Sequence, residues 1–197
     1  MSQTPHPIEV ESYKILADRV DLSDRPASHR PFIERMIHAT ADESFAASAR
    51  VGDDAPSALV SALAARAPVV VDASMVRVGI TRYETTCFLD RVPTAPEGST
   101  RSAKAFELAA TEYAEGAVFV VGNAPTALFE LLRLYELGRV SPAAVVGVPV
   151  GFVGAAESKA ALWASGLRSC SITNVGERGG TPVAASIVNA GVRLANG

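Results

Sequence analysis

Five short apolar runs, separated mostly by helical segments, constrain the fold of this chain more than any other feature. The runs are Pro68–Asp72, Thr85–Leu89, Ala117–Val121, Ala143–Val148 and Ser169–Asn174. Strands that are apolar along their whole length are typical of a parallel sheet covered on both faces. Helices between such strands supply the crossover connections. The sequence therefore predicts an α/β protein with a doubly wound, mainly parallel, five-stranded sheet flanked by helices.

The predicted helices have apolar residues at three- and four-residue spacing, and several begin at or beside a proline. In chain order they span Ile8–Val20, Pro31–Thr40, Pro56–Ala65, Thr100–Tyr113, Thr126–Leu137, Ser158–Ala164 and Thr181–Ala195. With 197 residues, of which 48% are hydrophobic, the chain is long enough for one sizeable core. We expect a single domain over residues 1–197, with its N-terminal helices at about 8–40.

Composition excludes several classes of function. The net charge is −3 and no long block of one sign occurs, so we expect neither a nucleic-acid nor a membrane partner. Cys87 and Cys170 lie apart in apolar runs, which argues against a zinc site and a disulfide framework. The amino terminus lacks a signal-peptide pattern, so we expect a cytoplasmic protein. Dinucleotide, nucleotide-phosphate and serine-hydrolase motifs are absent from the sequence, and no metal site or cofactor is expected.

Polar and glycine-rich stretches follow three of the predicted strands. They span Asp72–Ile80, Gly122–Leu128 and Pro149–Lys159. Ligands of open α/β sheets bind at the carboxyl ends of strands, so these stretches indicate one pocket. Backbone amides at Gly122 and Asn123 can receive an anion at a helix start, or can simply form the turn.

Arginines in or beside these segments suit a ligand with several carboxylates, because guanidinium groups pair bidentately with them. They are Arg35, Arg77, Arg82, Arg101 and Arg178. Solvated surface charges, or pairs with nearby carboxylates, are the alternative interpretation.

His38 is the candidate for proton transfer. It follows Arg35 by three residues on a predicted helix, so the two side chains are neighbours on one face. An ordinary histidine titrates at about 6.5, which allows it to donate or accept a proton near neutral pH. The alternative is a structural histidine bonded to a backbone carbonyl. Ser12, on the apolar face of the first helix, is either a ligand contact or bonded to its own preceding turn.

Taken in order, the strings of this sequence resemble the precorrin-8X methylmutase family of cobalamin biosynthesis. The matching strings are Arg35–Ala39, Asp72–Val76 with Gly79–Ile80, Thr100–Ser102, Gly122–Leu128, Pro149–Val153 and Glu157–Lys159. The similarity covers nearly the whole chain. Two of the strings, Gly-Asn-Ala-Pro-Thr-Ala-Leu and Pro-Val-Gly-Phe-Val with Glu-Ser-Lys, are too long for chance agreement in this order.

The resemblance implies an isomerase that moves a methyl group between adjacent ring C carbons of precorrin-8X, giving hydrogenobyrinic acid. It implies a flavodoxin-like fold, a corrinoid tetrapyrrole as substrate and product, and a homodimer with shared active sites. His38 matches the family's proton donor or acceptor. We expect the substrate to contact Ser12, Arg35, Met75, Arg77, Arg101, Gly122, Asn123, Thr126, Gly151, Phe152 and Glu157. A methyl shift needs a positioned tautomer and a proton rather than a cofactor.

Three alternatives stay open on the sequence. The first is the same methyl shift on cobalt-precorrin-8 in the anaerobic pathway. The second is a corrinoid-binding protein without turnover. The third is a flavodoxin-like domain that binds another small anion.

Overall fold

A computed structural model of the chain describes residues 6–197, which contain nine α-helices. They are α1 (Pro7–Arg19), α2 (Arg30–Thr40), α3 (Phe45–Ser48), α4 (Ala55–Ala64), α5 (Ser74–Gly79), α6 (Arg101–Glu112), α7 (Pro125–Glu136), α8 (Ala155–Ala164) and α9 (Thr181–Ala195). Proline lies in the first turn of α1, α2, α4, α7 and α9, where its missing N–H is not needed. No helix in this range is long and apolar enough to cross a membrane.

One six-stranded sheet forms the centre of the described residues. Its strands are β1 (Ala49–Val51), β2 (Val69–Val71), β3 (Thr86–Cys87), β4 (Val118–Val121), β5 (Ala144–Gly147) and β6 (Ser171–Asn174). From β2 onward the strands are parallel, in the spatial order β3-β2-β4-β5-β6, and β1 pairs antiparallel with β6 at the edge. This parallel order is the flavodoxin-like one, in which the crevice lies between β2 and β4. The predicted α/β class with a mainly parallel, doubly wound sheet is confirmed.

The predicted count of five strands is wrong, because β1 is a sixth. Its sequence, Ala49-Arg50-Val51, is short and carries a charge at its centre, so no apolar run marks it. Pairing with β6 creates this strand, with Ala49 opposite Asn174 and Val51 opposite Ile172. The predicted strand Thr85–Leu89 is also shorter than expected, because the chain turns into a 3₁₀-helix at Phe88–Arg91.

Each face of the sheet packs against its own layer of helices. Val69 and Val71 of β2 point into a core that includes residues of α2, α4, α5 and α9. Val70 points to the opposite core, which includes residues of α6, α7 and α8. The side-chain period of two along a strand separates the faces in this way, and burial on both faces explains why the strands are apolar throughout.

Helix α9 packs closely against its neighbours through small residues. Gly191 costs about 1 kcal/mol in helix propensity relative to alanine. A Cβ at this position would lie 2.8 Å from Leu63 Cδ1 and 3.2 Å from Leu59 Cδ2, both on α4. A Cβ on Gly122 would likewise lie 2.8 Å from Ala184 Cβ of α9. Glycine therefore lets α9 approach both α4 and the loop after β4.

Candidate active site

His38 lies near the end of α2, beneath α1. Ser12 Oγ of α1 is 3.0 Å from His38 Nδ1, and the Tyr13 ring stacks on the imidazole at 4.8 Å between centroids with 2° between planes. No described residue forms a hydrogen bond with Nε2. If the Ser12 hydroxyl donates to Nδ1, then Nε2 carries the proton; if the hydroxyl accepts from Nδ1, then Nε2 is free to take one. The site can therefore give or receive a proton at Nε2.

Charged side chains beside the imidazole control its protonation. Arg35 donates to the Tyr13 hydroxyl at 3.0 Å and pairs with Glu9 at 3.3 Å, and Arg193 of α9 pairs with the same carboxylate at 3.4 Å. Burial lowers the pKa of His38 below its ordinary 6.5, the Arg35 charge lowers it further, and Glu9 opposes both. The imidazole therefore binds a proton less tightly than an ordinary histidine does.

The cavity beside His38 is small. Its volume is about 110 Å³, and Ser12 and Ile37 are among its lining residues. Ligand sites commonly enclose about 300–1,000 Å³. Helix α1 forms one wall but contains no buried residue, and Ile8 and Val10 are 74% and 55% exposed. A flat macrocycle would have to lie across a wider surface than this cavity offers.

Asp72, at the exit of β2, occupies the crevice between β2 and β4. Its carboxylate accepts three backbone N–H groups, from Gly122 (3.0 Å), Asn123 (2.8 Å) and Ala124 (2.6 Å). Burial raises the pKa of this carboxyl, and the three amide donors oppose the rise. Of the two interpretations of these amides, anion binding or turn formation, the structure shows them bonded to the Asp72 side chain of the protein itself.

Other predicted contacts lie on the same carboxyl edge, bound to their neighbours. Arg101 donates to the carbonyls of Val92 (2.6 Å) and Leu89 (3.2 Å), and so holds the loop before α6. Thr126 accepts from the Thr100 hydroxyl at 2.8 Å, which joins the starts of α6 and α7. Arg77 pairs with Asp90 at 3.6 Å in an exposed position.

An exposed apolar rim follows β2 and β5. Met75 and Val78 on α5 are 72% and 78% exposed, and Phe152 and Val153 after β5 are both 89% exposed.

Next to the rim, Gly151 donates its N–H to the Glu177 carbonyl at 3.1 Å with φ of 142°, a conformation that favours glycine. The predicted contact Glu157 is exposed in the first turn of α8. Within residues 6–197, no hydrogen bond or ion pair joins the rim to His38, whereas Ser12 and Arg35 are brought directly to it.

Lys159 is a polar residue of this edge that the sequence did not single out. It is 1% exposed, and its ammonium donates to Asn174 Oδ1 at 3.4 Å and to the Arg178 carbonyl. Burial lowers its pKa to about 8, with Glu177 opposing. The Arg178 guanidinium pairs with Asp42, four residues beyond His38. Lys159 thereby ties α8 to the loop after β6, and Arg178 ties that loop to the turn after α2. The place of Lys159 in the Glu-Ser-Lys string could have suggested a role for it.

Comparisons with known proteins agree over nearly the full chain. The family model described as precorrin-8X methylmutase matches residues 7–194. The cobalt-precorrin-8 methylmutase of Methanocaldococcus jannaschii is 37% identical over 180 residues, which cover 89% of this chain and 83% of that protein. The precorrin-8X methylmutase of Pseudomonas aeruginosa is 40% identical over 190 residues, 91% of each chain. The crystal structure of precorrin-8x methyl mutase from Thermus thermophilus has a TM-score of 0.84 and 33% identity, and covers 95% of both chains.

Proposed function

The chain belongs to the precorrin-8X methylmutase family, the methyl-shifting isomerases of cobalamin biosynthesis, and we propose that His38 moves the proton for this reaction. The observation that carries the proposal is the environment of the imidazole. Ser12 fixes Nδ1, Tyr13 fixes the ring plane, and Nε2 has no partner among the described residues. A histidine in this setting can accept a proton at Nε2 as a base and then return it as an acid.

The reaction is an isomerisation, so every atom of the substrate is retained in the product. The bond from the methyl group to one ring C carbon breaks, and a bond to the adjacent carbon forms. The product is hydrogenobyrinic acid. In our proposal the enzyme holds precorrin-8X in the orientation for that shift, and His38 transfers the proton between tautomers. Holding a flat, rigid substrate against a fixed imidazole lowers the barrier without a nucleophile.

Recognition of the substrate would combine arginines with apolar cover. Its carboxylate side chains would pair with Arg35 and Arg77, whose guanidinium groups are half-buried and exposed respectively. Met75 and Phe152, exposed on the rim, would lie against the face of the macrocycle. Arg101, Thr126 and the backbone amides of Gly122, Asn123 and Gly151 would act mainly by shaping this edge, because these groups already bond to the protein. Ser12 and Glu157 stay predicted contacts of the substrate. These residue roles are predictions of the proposal.

A second copy of the chain would complete the site. The support is the small cavity beside His38 and the absence of buried residues in α1, whose Ile8, Val10 and Ile15 side chains are all exposed. Burying such a face between two copies would also enclose more of a large substrate. We therefore propose a homodimer with shared active sites. The single sheet and the family match over residues 7–194 support one domain per chain. The cytoplasmic location stays a prediction.

Relatives of this chain act, by their names, on the metal-free or on the cobalt-containing substrate. We propose precorrin-8X itself as the substrate here. Cobalt-precorrin-8 is the competing substrate, and assaying both under identical conditions separates them by their specificity constants. A higher kcat/KM for the cobalt form would reverse this assignment. A corrinoid-binding protein without turnover is not favoured, because the family and these relatives are methylmutases.

The test of His38 is the visible absorption spectrum of the protein mixed with metal-free precorrin-8X. The wild type is expected to convert the substrate to the hydrogenobyrinic acid spectrum. His38→Ala is expected to bind the macrocycle without converting it, because the rest of the surface persists. His6→Asn is the matched control, because His6 caps α1 through its imidazole and asparagine is among the preferred N-cap residues. Turnover by His38→Ala at the wild-type rate would remove the histidine from the mechanism.

A further inference from the structure

A cavity of about 480 Å³ lies at the end of the sheet opposite to Asp72. It is bounded by the segment before α2, by β1 and by the end of α8. Gly52, which lines it, donates its N–H to the carbonyl of Ser171, the first residue of β6, at 2.9 Å. Since β6 runs parallel to β5 and, through it, to the other parallel strands, this is the amino end of the sheet, whereas the rim and the crevice lie at the carboxyl end.

Basic side chains dominate the walls of this cavity. Arg25, Arg50 and Arg168 line it against a single carboxylate, Asp53. Arg50 and Arg168 form no ion pair within 4.0 Å among the described residues, and Arg25 has only Asp24, at 3.9 Å. An excess of arginine without carboxylate partners favours an anionic ligand.

The backbone holds two of these guanidinium groups in place. Arg25 Nη2 donates to the Ala46 carbonyl at 2.7 Å. Arg50 Nη1 donates to the carbonyls of Ala47 and Ala49, both at 2.9 Å. Each guanidinium has five N–H donors, so most donors stay available after these bonds. Fixed donors cost less conformational entropy when a ligand binds than freely rotating side chains would.

His29 and Trp163 complete the walls. The His29 side chain is 9% exposed, and no described residue forms a hydrogen bond with its ring. Trp163 is the only tryptophan of the chain, and the Arg168 guanidinium lies 4.6 Å from its ring centroid. The cavity volume falls within the range of about 300–1,000 Å³ typical of small-molecule sites.

We propose that this cavity is a second binding site, for a small organic or inorganic polyanion carrying two or more carboxylate or phosphate groups. Arg50 and Arg168 bind the ligand's anionic groups directly, with Arg25 and His29 as further donors. His29 precedes His38 by nine residues, or roughly 13 Å along α2 at 1.5 Å per residue. The site is therefore separate from the one that carries the methyl shift, and one helix connects the two.

The sole tryptophan makes the site directly measurable. The intrinsic fluorescence of the wild-type protein is titrated with citrate and, separately, with pyrophosphate, with sodium chloride holding the ionic strength constant. A saturable change in fluorescence is expected with at least one of the two anions. Tighter binding of citrate would identify carboxylate as the preferred group, and tighter binding of pyrophosphate would identify phosphate. Sodium chloride alone is expected to give no saturable change.

Arg50→Gln combined with Arg168→Gln is expected to raise the dissociation constant at least 10-fold. Because Arg168 touches the tryptophan, calorimetric titration measures the same binding without relying on fluorescence. Arg139→Gln, on an exposed arginine outside the cavity, is the matched control and is expected to bind as the wild type does.

Three results would overturn the proposal: no saturable binding of either anion, equal affinity in the double variant, or an equal loss in the Arg139 control. Thermal unfolding of each variant verifies that it is folded. No tetrapyrrole is present in these titrations, so their outcome is independent of the proposed methyl-shift function.

Discussion

Replacing Asp72 with asparagine sets two large effects against each other. The carboxylate is 1% exposed, and burying a charge is unfavourable. Against this, Oδ1 accepts the Gly122 N–H, and Oδ2 accepts those of Asn123 and Ala124. Burial raises the pKa of Asp72, and the hydrogen bonds from the amides lower it. The sign of the change in unfolding free energy on Asp72→Asn therefore shows which of the two effects is larger. We expect the hydrogen bonds to prevail and Asp72→Asn to be less stable.

The geometry gives the magnitude. Asparagine can place its one oxygen toward Asn123 and Ala124, but its amino group then faces the buried N–H of Gly122. Leaving a buried donor unsatisfied costs about 1–3 kcal/mol. The two bonds that remain lose their charge, at about 1 kcal/mol each. Burying a neutral amide instead of a carboxylate offsets part of this sum. A net loss of about 2–3 kcal/mol corresponds to a Tm lower by about 4–12 °C for a chain of this length.

Urea and thermal unfolding followed by circular dichroism measure the difference. Asp90→Asn is the control, since Asp90 is a carboxylate in an exposed pair with Arg77. The decrease in the free energy of unfolding of Asp90→Asn is expected to be below about 1 kcal/mol. If Asp72→Asn were as stable as the wild type or more stable, the cost of burying the charge would exceed the contribution of the three amides. Asp72 would then destabilise the crevice rather than stabilise it.

Two further variants test the electrostatics. Arg35→Gln removes a positive charge that lowers the pKa of His38, so NMR titration is expected to give a higher imidazole pKa and the acid limb of kcat/KM is expected to move to higher pH. An unmoved limb would mean that another group controls it. Lys159→Met removes a lysine whose folded pKa is about 8, against an ordinary 10.5. Between these two pKa values the unfolded wild type binds more protons than the folded wild type. As the pH rises through this range, the free energy of unfolding of the wild type is therefore expected to increase by up to about 3 kcal/mol relative to that of the variant. Urea unfolding at pH 7 and pH 10 measures this, and parallel pH dependences would contradict it.

The sheet was largely predictable because burial on both faces leaves a continuous apolar signal. Val69–Val71 and Val118–Val121 are buried throughout, and each stands out from its flanking turns. The edge strand Ala49–Val51 has no such signal, since its pairing with β6 rather than its composition makes it a strand. Helix α5 was not predictable because its six residues are too few to show helical periodicity, while its packing against α9 is tertiary.

The part of the candidate site that lies on a single helix was predictable. The spacing of Arg35 and His38 follows from α2 alone. Tyr13 and Glu9 reach His38 and Arg35 only through the packing of α1 on α2, which no local pattern encodes. The occupied amides beside Gly122 were missed for a similar reason, because the carboxylate that fills them belongs to a residue 50 positions away.

Helix α1 supplies Ser12, Tyr13 and Glu9 to the surroundings of His38, yet it buries none of its own residues. Elements with so few buried contacts detach at low free energy, well below that of global unfolding. When α1 is detached, the imidazole regains water and loses its Ser12 partner, so the burial that lowers its pKa is relieved, while Arg35 of α2 stays beside it. Docking of α1 and the proton affinity of His38 are thus thermodynamically coupled. Because the two are coupled, any contact that stabilises α1 in its docked position also shifts the proton affinity of His38 when the substrate binds.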